Sequence, residues 1–395
     1  MSTCLPAVGS DIAVNLVPPC IAAGIVQISL LSGNTSVKGK VILGMRKGKS
    51  VAAKAIEGES NDDEAGLTAT TKKLLADYNL KYPIFQAAPG GQDLAIAVAQ
   101  SGGMGAVALS FDSPDYAFKV VNRMINATNG NFYGNYVLSV PPKSLDRALE
   151  AGCPIIQFSW GIPGQGVVNK VRHGGAKLGI QVSSNLGAKK ALSFDPDFLI
   201  CQGIEAGGHV QGTSSLLESI EGILELAGPV PVLAAGGIAN GKDIRQVVSA
   251  GAAGAVLGTR FMATKESDAH DDYKRELIAA NGNSTVYTIC FDKEPTFASG
   301  TWDSAHRVLR NSTFQEWEAA GCPLSGSRPG ENDVVATHPV YGETLRYETM
   351  SPVTGHEGSL EAMALYAGEG VGKVKDLPSA GDLLERLWKE FKATR

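Results

Sequence analysis

One histidine of this chain stands in a setting suited to catalysis. His209 follows an apolar run at residues 198–202 and ends a short loop that contains Gly207 and Gly208. Neighbouring glycines have no Cβ and tolerate positive φ, so a large planar ligand can approach their backbone closely. An imidazole beside such a ligand can accept a carbon-bound proton or donate to a developing oxyanion near neutral pH. The segment therefore predicts proton-transfer chemistry at a bound ligand.

The alternative is that His209 is a structural histidine, as a lone histidine more often is. Its position favours catalysis, because it follows the carboxyl end of a predicted strand, where parallel barrels place their active sites. The other histidines lack this context, and we interpret them as structural: His173, His270, His306, His338 and His356.

Two further apolar runs end in small residues. One is followed by Gly236 and Gly237, and the next by Gly258 and Thr259. Loops after the seventh and eighth strands of a parallel barrel commonly bind phosphate through backbone N–H groups and a helix N-terminus. These junctions predict a phosphate site, with simple barrel turns as the alternative. Arg260 either adds positive charge to that site or forms an outward-facing ion pair.

These junctions belong to a longer pattern, in which short β-branched runs alternate with helical patterns from residue 82 to about residue 280. Nearly continuous apolar runs are typical of parallel strands covered on both faces. The pattern predicts an α/β fold, a (β/α)8 TIM barrel. A doubly wound sheet is the alternative, because periodicity alone does not show closure. The expected strands are 83–88, 105–110, 132–139, 154–160, 178–183, 198–202, 231–235 and 255–259.

The rest of the chain flanks this barrel. We expect an N-terminal extension at 1–80, the barrel at 81–280 and a C-terminal segment at 281–395 that packs on the barrel. Within the extension, residues 57–64 are acidic and predict a surface loop or linker, and residues 41–43 and 51–53 predict a small hairpin. The C-terminal segment is expected to be irregular up to about residue 358, with helices at 360–366 and 380–392.

Composition narrows the class of protein. The chain has 395 residues, 44% of them hydrophobic, and a formal net charge of −5. It can bury a large core, and its charge argues against nucleic-acid binding. Six scattered cysteines without metal-ligand spacing predict free thiols, no metal site and a cytoplasmic location. Prolines and polar residues interrupt the apolar stretch at 12–31, so we expect no membrane span.

Two glycine motifs are interpreted as turns. Residues 103–108 fit G-x-G-x-x-A, but they end a predicted helix and enter a strand, the reverse of a dinucleotide-binding loop. Residues 44–50 are one residue too short for a P-loop, and we interpret them as a basic turn.

Several segments resemble the nitronate monooxygenase family, formerly called 2-nitropropane dioxygenases. Those enzymes are FMN-dependent TIM barrels related to flavin-dependent enoyl-ACP reductases. The similarity spans roughly residues 82–275, with a weaker match at 366–370. The matching segments are 82–87, 101–105, 202–209, 234–239 and 257–261.

The resemblance implies FMN as the cofactor and His209 as the catalytic base. It implies FMN contacts from Asn135, Gln202, Gly207, Gly208, Gly236, Gly237, Gly258 and Thr259. The implied reaction is oxidative denitration of a nitroalkane or nitronate: an electron passes to the flavin, and O2 completes conversion to a carbonyl product and nitrite. The implied partners are a small-molecule substrate and O2, and a homodimer is left open.

Two other functions stay open at this point. The same fold could use NAD(P)H to reduce an enone, an enoyl thioester or a quinone, or it could bind a flavin or metabolite without catalysis. The sequence also departs from the family pattern. Residues 87–91 lack the methionine usual after the first strand, and Val210 and Gln211 stand where the family commonly has an arginine after the histidine.

Overall fold

The computed structural model describes residues 67–291 and 305–394. The predicted hairpin, the acidic linker and the basic turn of the N-terminal extension lie outside the described residues. The strands are β1 (Ile84–Gln86), β2 (Gly105–Ala108), β3 (Phe132–Val137), β4 (Ile155–Ser159), β5 (Lys177–Val182), β6 (Phe198–Gln202), β7 (Gly208–His209), β8 (Val232–Ala235), β9 (Gly254–Leu257), β10 (Thr285–Thr288), β11 (His306–Leu309), β12 (Val334–His338), β13 (Gly342–Leu345) and β14 (Glu357–Gly358).

Helices alternate with the barrel strands and continue after them. The α-helices are α1 (Ala69–Asp77), α2 (Gly91–Gln100), α3 (Pro114–Ala127), α4 (Leu145–Glu150), α5 (Gln165–His173), α6 (Asn185–Leu192), α7 (Leu216–Ala227), α8 (Gly241–Ser249), α9 (Thr259–Met262), α10 (Asp271–Ala279), α11 (Ser312–Ala319) and α12 (Ala380–Ala393), and 3-10 turns occur at Leu360–Ala362 and Glu369–Lys373. None of the helices in the described ranges combines the length and apolar character of a bilayer span.

Eight strands form one parallel sheet in the order β1-β9-β8-β6-β5-β4-β3-β2. The two end strands meet through Met104, whose N–H donates to Ile84 O at 3.0 Å and whose carbonyl accepts from Gln86 N at 2.9 Å. The Gln86 carboxamide also bonds both backbone groups of Ala106. The sheet therefore closes, which confirms the predicted (β/α)8 barrel and excludes the doubly wound alternative.

The barrel interior is filled by aromatic side chains. Phe85 and Phe198 meet edge to face with ring centroids 5.8 Å apart. Gly179 makes this possible, because a Cβ there would overlap the Phe198 ring. From α1, within the segment assigned to the N-terminal extension, Leu74 and Tyr78 pack into the same interior cluster. The phenol ring of Tyr78 contacts both phenylalanine rings.

Local capping sets the helix starts. Ser113 caps α3 and accepts from Tyr116 N, and Asn240 forms a capping box with Asp243 at the start of α8. The predicted helix at 380–392 is confirmed as α12, which packs against α8 and α2. Its Glu390 carboxylate accepts from Gly241 N at 2.8 Å.

The C-terminal segment differs from the prediction in two respects. The region expected to be irregular up to residue 358 contains α11 and five strands, which build three-stranded sheets in the orders β10-β11-β7 and β13-β12-β14. The helix predicted at 360–366 is wrong beyond the turn Leu360–Ala362. Leu365 and Ala367 instead pair as extended chain with β11, since Leu309 N donates to Leu365 O and Ala367 N donates to Arg307 O.

The cysteines of the described residues do not form disulfides. Cys153, Cys201, Cys290 and Cys322 are free thiols, while the other two cysteines lie outside the described residues. Residues 101–104 form the short connection between the end of α2 and the start of β2, where a turn was predicted.

Candidate active site

A cavity of about 680 Å³ opens at the carboxyl ends of the barrel strands. All the site residues that the sequence predicted line this one cavity: Asn135, Gln202, Gly207, Gly208, His209, Gly236, Gly237, Gly258 and Thr259. They come from the ends of β3, β6, β8 and β9 and from β7. The structure thus brings the predicted residues together. The volume of the cavity lies in the range of small-molecule and cofactor sites.

The loop after β8 contains two glycines in backbone conformations that favour glycine. Gly236 and Gly237 have φ values of +121° and +68°, which L-residues rarely adopt. A Cβ on Gly236 would also lie 3.2 Å from Gly203 O. Both glycines line the cavity.

A second glycine segment crosses these loops. A Cβ on Gly207 would overlap the backbone nitrogen of Gly368, and one on Gly370 would overlap the carbonyl oxygen of Gly237. Gly368 N donates to the Thr259 hydroxyl at 3.0 Å. The segment at 366–370, which matched the family only weakly, therefore ties together the loops after β6, β8 and β9.

Polar side chains of strands β3 to β6 line the cavity near the carboxyl ends of these strands. Asn135 donates to Gln157 Oε1 at 2.5 Å and to Ser159 Oγ at 3.2 Å. Gln202 accepts from Gln211 N at 2.8 Å. These side chains line the cavity with defined orientations, because each already has a protein partner.

Gln211 belongs to the pair Val210–Gln211 that stands where the family commonly has an arginine after the histidine. Its Oε1 accepts from Trp160 N at 3.1 Å and from Gln181 Nε2 at 2.5 Å, and its carbonyl accepts from Ser183 Oγ at 3.1 Å. Trp160 has φ +55°, an uncommon conformation for a bulky residue. The Gln211 carboxamide thus joins the ends of β4 and β5 in a segment where the family pattern places a positive charge.

The wall after β1 shows the second departure. Gly90 has φ +120° and no side chain, and the sulfur of Met262 lies 3.4 Å from where its Cβ would be. Met262 belongs to α9 and lines the cavity. A methionine is therefore present at this wall, although it comes from a different loop than the family pattern suggests.

His209 is fixed by strand pairing. Strand β7 pairs antiparallel with β11, so that His209 stands opposite His306. The His209 carbonyl also accepts from Gln202 Nε2 at 3.4 Å. Its ring centroid lies 5.8 Å from that of Trp160, 5.3 Å from that of His306 and 5.7 Å from that of Tyr366. The imidazole is thus held at the cavity wall within an aromatic cluster.

His306 lies next to His209, which the sequence did not indicate; from the sequence alone His306 is interpreted as structural. It is fully buried, and its Nε2 accepts from Phe291 N at 3.2 Å. An accepting Nε2 carries no proton, so the ring proton is on Nδ1. No local pattern marks this residue, because its neighbourhood with His209 arises only from the pairing of β7 with β11.

The charged side chains at the cavity are acidic. Of the described residues that line it, none is Lys or Arg, and Asp112 and Asp268 are the carboxylates. Burial raises the pKa of Asp112 to about 6. Burial also raises the pKa of Asp268, although nearby Lys274 offsets part of that effect.

The structure decides between the two roles considered for Arg260. The guanidinium is buried, donates to Ala263 O and Asp376 O, and forms an ion pair with Asp376 at 3.1 Å. It does not line the cavity. The structure therefore shows the ion pair, in which the guanidinium is buried and the Asp376 carboxylate is partly exposed to solvent.

Comparisons with known proteins agree with this geometry. The family model for nitronate monooxygenase matches residues 127–390. A (3aS,4S,5R,7aS)-5-hydroxy-7a-methyl-1-oxo-octahydro-1H-indene-4-carboxyl-CoA dehydrogenase of Mycobacterium tuberculosis is 25% identical over 340 residues, covering 78% of this chain and 92% of that protein. A nitronate monooxygenase of Pseudomonas aeruginosa is 27% identical over 262 residues, covering 64% and 67%.

A solved structure gives the same result for the fold. The nitroalkane oxidase from Streptomyces ansochromogenes is similar with a TM-score of 0.64 and 26% identity, covering 80% of this chain and 97% of that one. The family match extends over more than half of the chain and includes most of the cavity-lining strands. The chain belongs to the nitronate monooxygenase family and is a flavin-dependent oxidoreductase.

Proposed function

We propose that this enzyme binds FMN in the cavity and uses it to oxidise a nitroalkane or nitronate with O2, giving a carbonyl product and nitrite. The observation that carries the proposal is the convergence of His209 with the glycine loops after β6, β8 and β9 at one cavity. FMN, when bound, supplies the electron acceptor for the substrate and passes electrons to O2.

The residues present fit FMN. Gly236, Gly237, Gly258 and Thr259 would hold the phosphate, since loops after the last two strands of a barrel offer backbone N–H groups to anions. A neutral backbone site agrees with the absence of Lys and Arg from the described cavity lining. Asn135, Gln202 and Gly207 would contact the ring system, whose close approach the missing Cβ of glycine permits.

His209 would act as the general base. In the neutral form its imidazole takes the proton from the substrate carbon that bears the nitro group, and the C–H electron pair becomes the C=N bond of the nitronate. Pairing of β7 with β11 fixes the backbone that carries this ring. A base held in place before substrate arrives lowers the entropic cost of reaching the transition state.

The test starts from the purified, FMN-loaded protein under anaerobic conditions. We expect nitroethane or ethylnitronate to bleach the flavin absorption, and O2 to restore it with release of nitrite. His209→Ala should retain FMN and lose reduction by nitroethane, while His173→Ala, at the exposed end of α5, should behave as wild type. No bleaching by either compound would contradict the proposal.

A second function is favoured by one relative. The dehydrogenase of Mycobacterium tuberculosis is named for a CoA thioester and matches this chain over 92% of its own length. The second function would be FMN-dependent reduction of an enone, enoyl thioester or quinone by NAD(P)H, the reverse direction of a dehydrogenation. Rapid anaerobic flavin reduction by NADH or NADPH, without reduction by nitro compounds, would support this second function over the first.

A further inference from the structure

The cavity lining contains two carboxylates and, among the described residues, no Lys or Arg. Asp112 lies in the loop between β2 and α3, and within the described part of the chain its carboxylate has no hydrogen-bond or ion-pair partner. Asp268, in the loop between α9 and α10, lines the same cavity. Nearby Lys274 offsets part of the charge of Asp268. An anion in the cavity is still repelled by an ionised Asp112, and partial burial strengthens this repulsion relative to open water.

Nearby cations are engaged behind the cavity wall. Arg307 donates to Ile204 O and pairs with Glu369 at 3.0 Å. Lys274 donates to the carbonyl of Ser267 at 2.8 Å. Neither side chain lines the cavity. Among the described residues the entrance therefore has no positive group to attract an anionic substrate.

The same entrance is rimmed by exposed aromatic rings. Phe111 is 73% exposed, Tyr116 51% and Tyr341 58%, and all three line the cavity. Tyr341 lies in the turn between β12 and β13, whereas the other two follow β2. Large apolar side chains left in solvent around a cavity are typical of ligand-binding surfaces.

We propose that the site takes an uncharged, largely apolar substrate, and that Asp112 and Asp268 select against anions. This inference rests on the proposed function, and it assigns the neutral nitroalkane, and not the preformed nitronate, as the species that enters. The substrate becomes an anion only inside the cavity: the α C–H bond breaks, its proton goes to the His209 imidazole, and its electron pair forms the C=N bond. A general base at this position acts on the α proton that the neutral nitroalkane carries and the nitronate lacks.

The first test compares two protonation states of one compound. Nitroethane and ethylnitronate exchange protons slowly enough to be supplied separately to the FMN-loaded enzyme, and kcat/KM is measured for each. We expect wild type to prefer nitroethane. Asp112→Asn and Asp268→Asn should each raise the ratio of nitronate to nitroalkane rates about tenfold, the effect of removing one like charge in a partly desolvated cavity. Asp146→Asn, on the exposed face of α4 in an ion pair with Lys170, should leave the ratio unchanged.

A second test does not require turnover. Benzamide and benzoate have the same shape and differ in charge, and their binding to the FMN-loaded enzyme is read from the flavin spectrum. Tighter binding of benzamide, with a smaller difference in Asp112→Asn, supports the inference even if no nitro compound reacts and the proposed function fails. Preference for ethylnitronate or benzoate in wild type overturns it, as does an unchanged preference in both variants.

Discussion

His209 and His306 stand opposite each other on paired antiparallel strands, with ring centroids 5.3 Å apart. One ring lines the cavity and the other is fully buried behind it. The N–H of Phe291 fixes the tautomer of the buried ring. We propose that His306, which does not itself line the cavity, positions the imidazole of His209.

His306→Gln tests this positioning role. The Gln carbonyl can still accept from Phe291 N–H, so we expect the free energy of unfolding to change by less than about 1 kcal/mol. Loss of the ring loosens His209, and kcat for nitroethane should fall about tenfold with little change in KM, because the defect affects the transition state. The primary isotope effect with α-deuterated nitroethane should rise as well. An unchanged isotope effect and kcat would show that His306 serves packing alone.

Alanine substitutions of the two glycines after β6 should have sharply different effects on FMN binding. Gly207→Ala places a methyl group on the backbone of Gly368, so the crossing segment must move away. Gly208→Ala has no atom within 4 Å of the added Cβ, and its φ of +76° costs about 1 kcal/mol. We expect Gly207→Ala to lose most FMN binding, measured by flavin fluorescence, and Gly208→Ala to retain it. Similar losses in both variants would mean that backbone strain, and not the close approach, matters.

Asp112 should make stability depend on pH. Burial raises its pKa to about 6 in the folded protein, above the value of about 4 for an unfolded chain. The folded state therefore binds the proton more tightly, and the associated stability is present below about pH 4 and lost as pH rises through about 6.

Asp112→Asn removes this dependence. We expect it to raise the free energy of unfolding by about 1 kcal/mol at pH 7, less than the full pKa difference implies because solvent screens a partly exposed carboxylate. Below about pH 4 variant and wild type should unfold alike. Urea titrations at both pH values measure the difference, and a variant less stable than wild type at pH 7 would contradict the assigned cause.

The Gln211 side chain should contribute to the free energy of unfolding through its hydrogen bonds. Gln211→Ala leaves the partly buried donors Trp160 N and Gln181 without their shared acceptor. We expect a loss of about 1 kcal/mol, at the lower end of the cost of a fully buried unpaired donor. Gln165→Ala, which removes an exposed bond to Asn169, is the control and should change little. Thermal unfolding of the two variants makes the comparison. Equal melting temperatures would refute a structural role for the Gln211 carboxamide.

The barrel and most of the cavity could be predicted because their signals are local. Strand boundaries agree with prediction to within about two residues, since apolar runs bounded by glycine are read directly from the sequence. Gly236, Gly258 and His209 each follow such a run, and parallel topology brings strand ends together. No knowledge of side-chain packing was needed for these residues.

The contacts that could not be predicted arise from hydrogen-bonded pairing between segments far apart in the sequence. His306 and Tyr366 reach His209 only because β11 pairs with β7 on one side and with the extended chain near residue 366 on the other. The apolar residues at 360–366 suggest a helix, but tertiary hydrogen bonds to β11 override that preference. The two cavity carboxylates, Asp112 and Asp268, come from the loops after β2 and α9, which are far apart in the sequence, and no periodicity reveals that they line one cavity.

The central claim is that backbone amides of the strand-end loops bind the phosphate of a flavin mononucleotide. Titration of the flavin-free protein with FMN and with riboflavin, followed by fluorescence quenching, tests it most directly, since the two ligands differ only in the phosphate. We predict FMN to bind at least about a hundredfold more tightly than riboflavin, and Gly237→Ala to remove most of that difference. Equal affinities, or no binding of either flavin, would contradict the account.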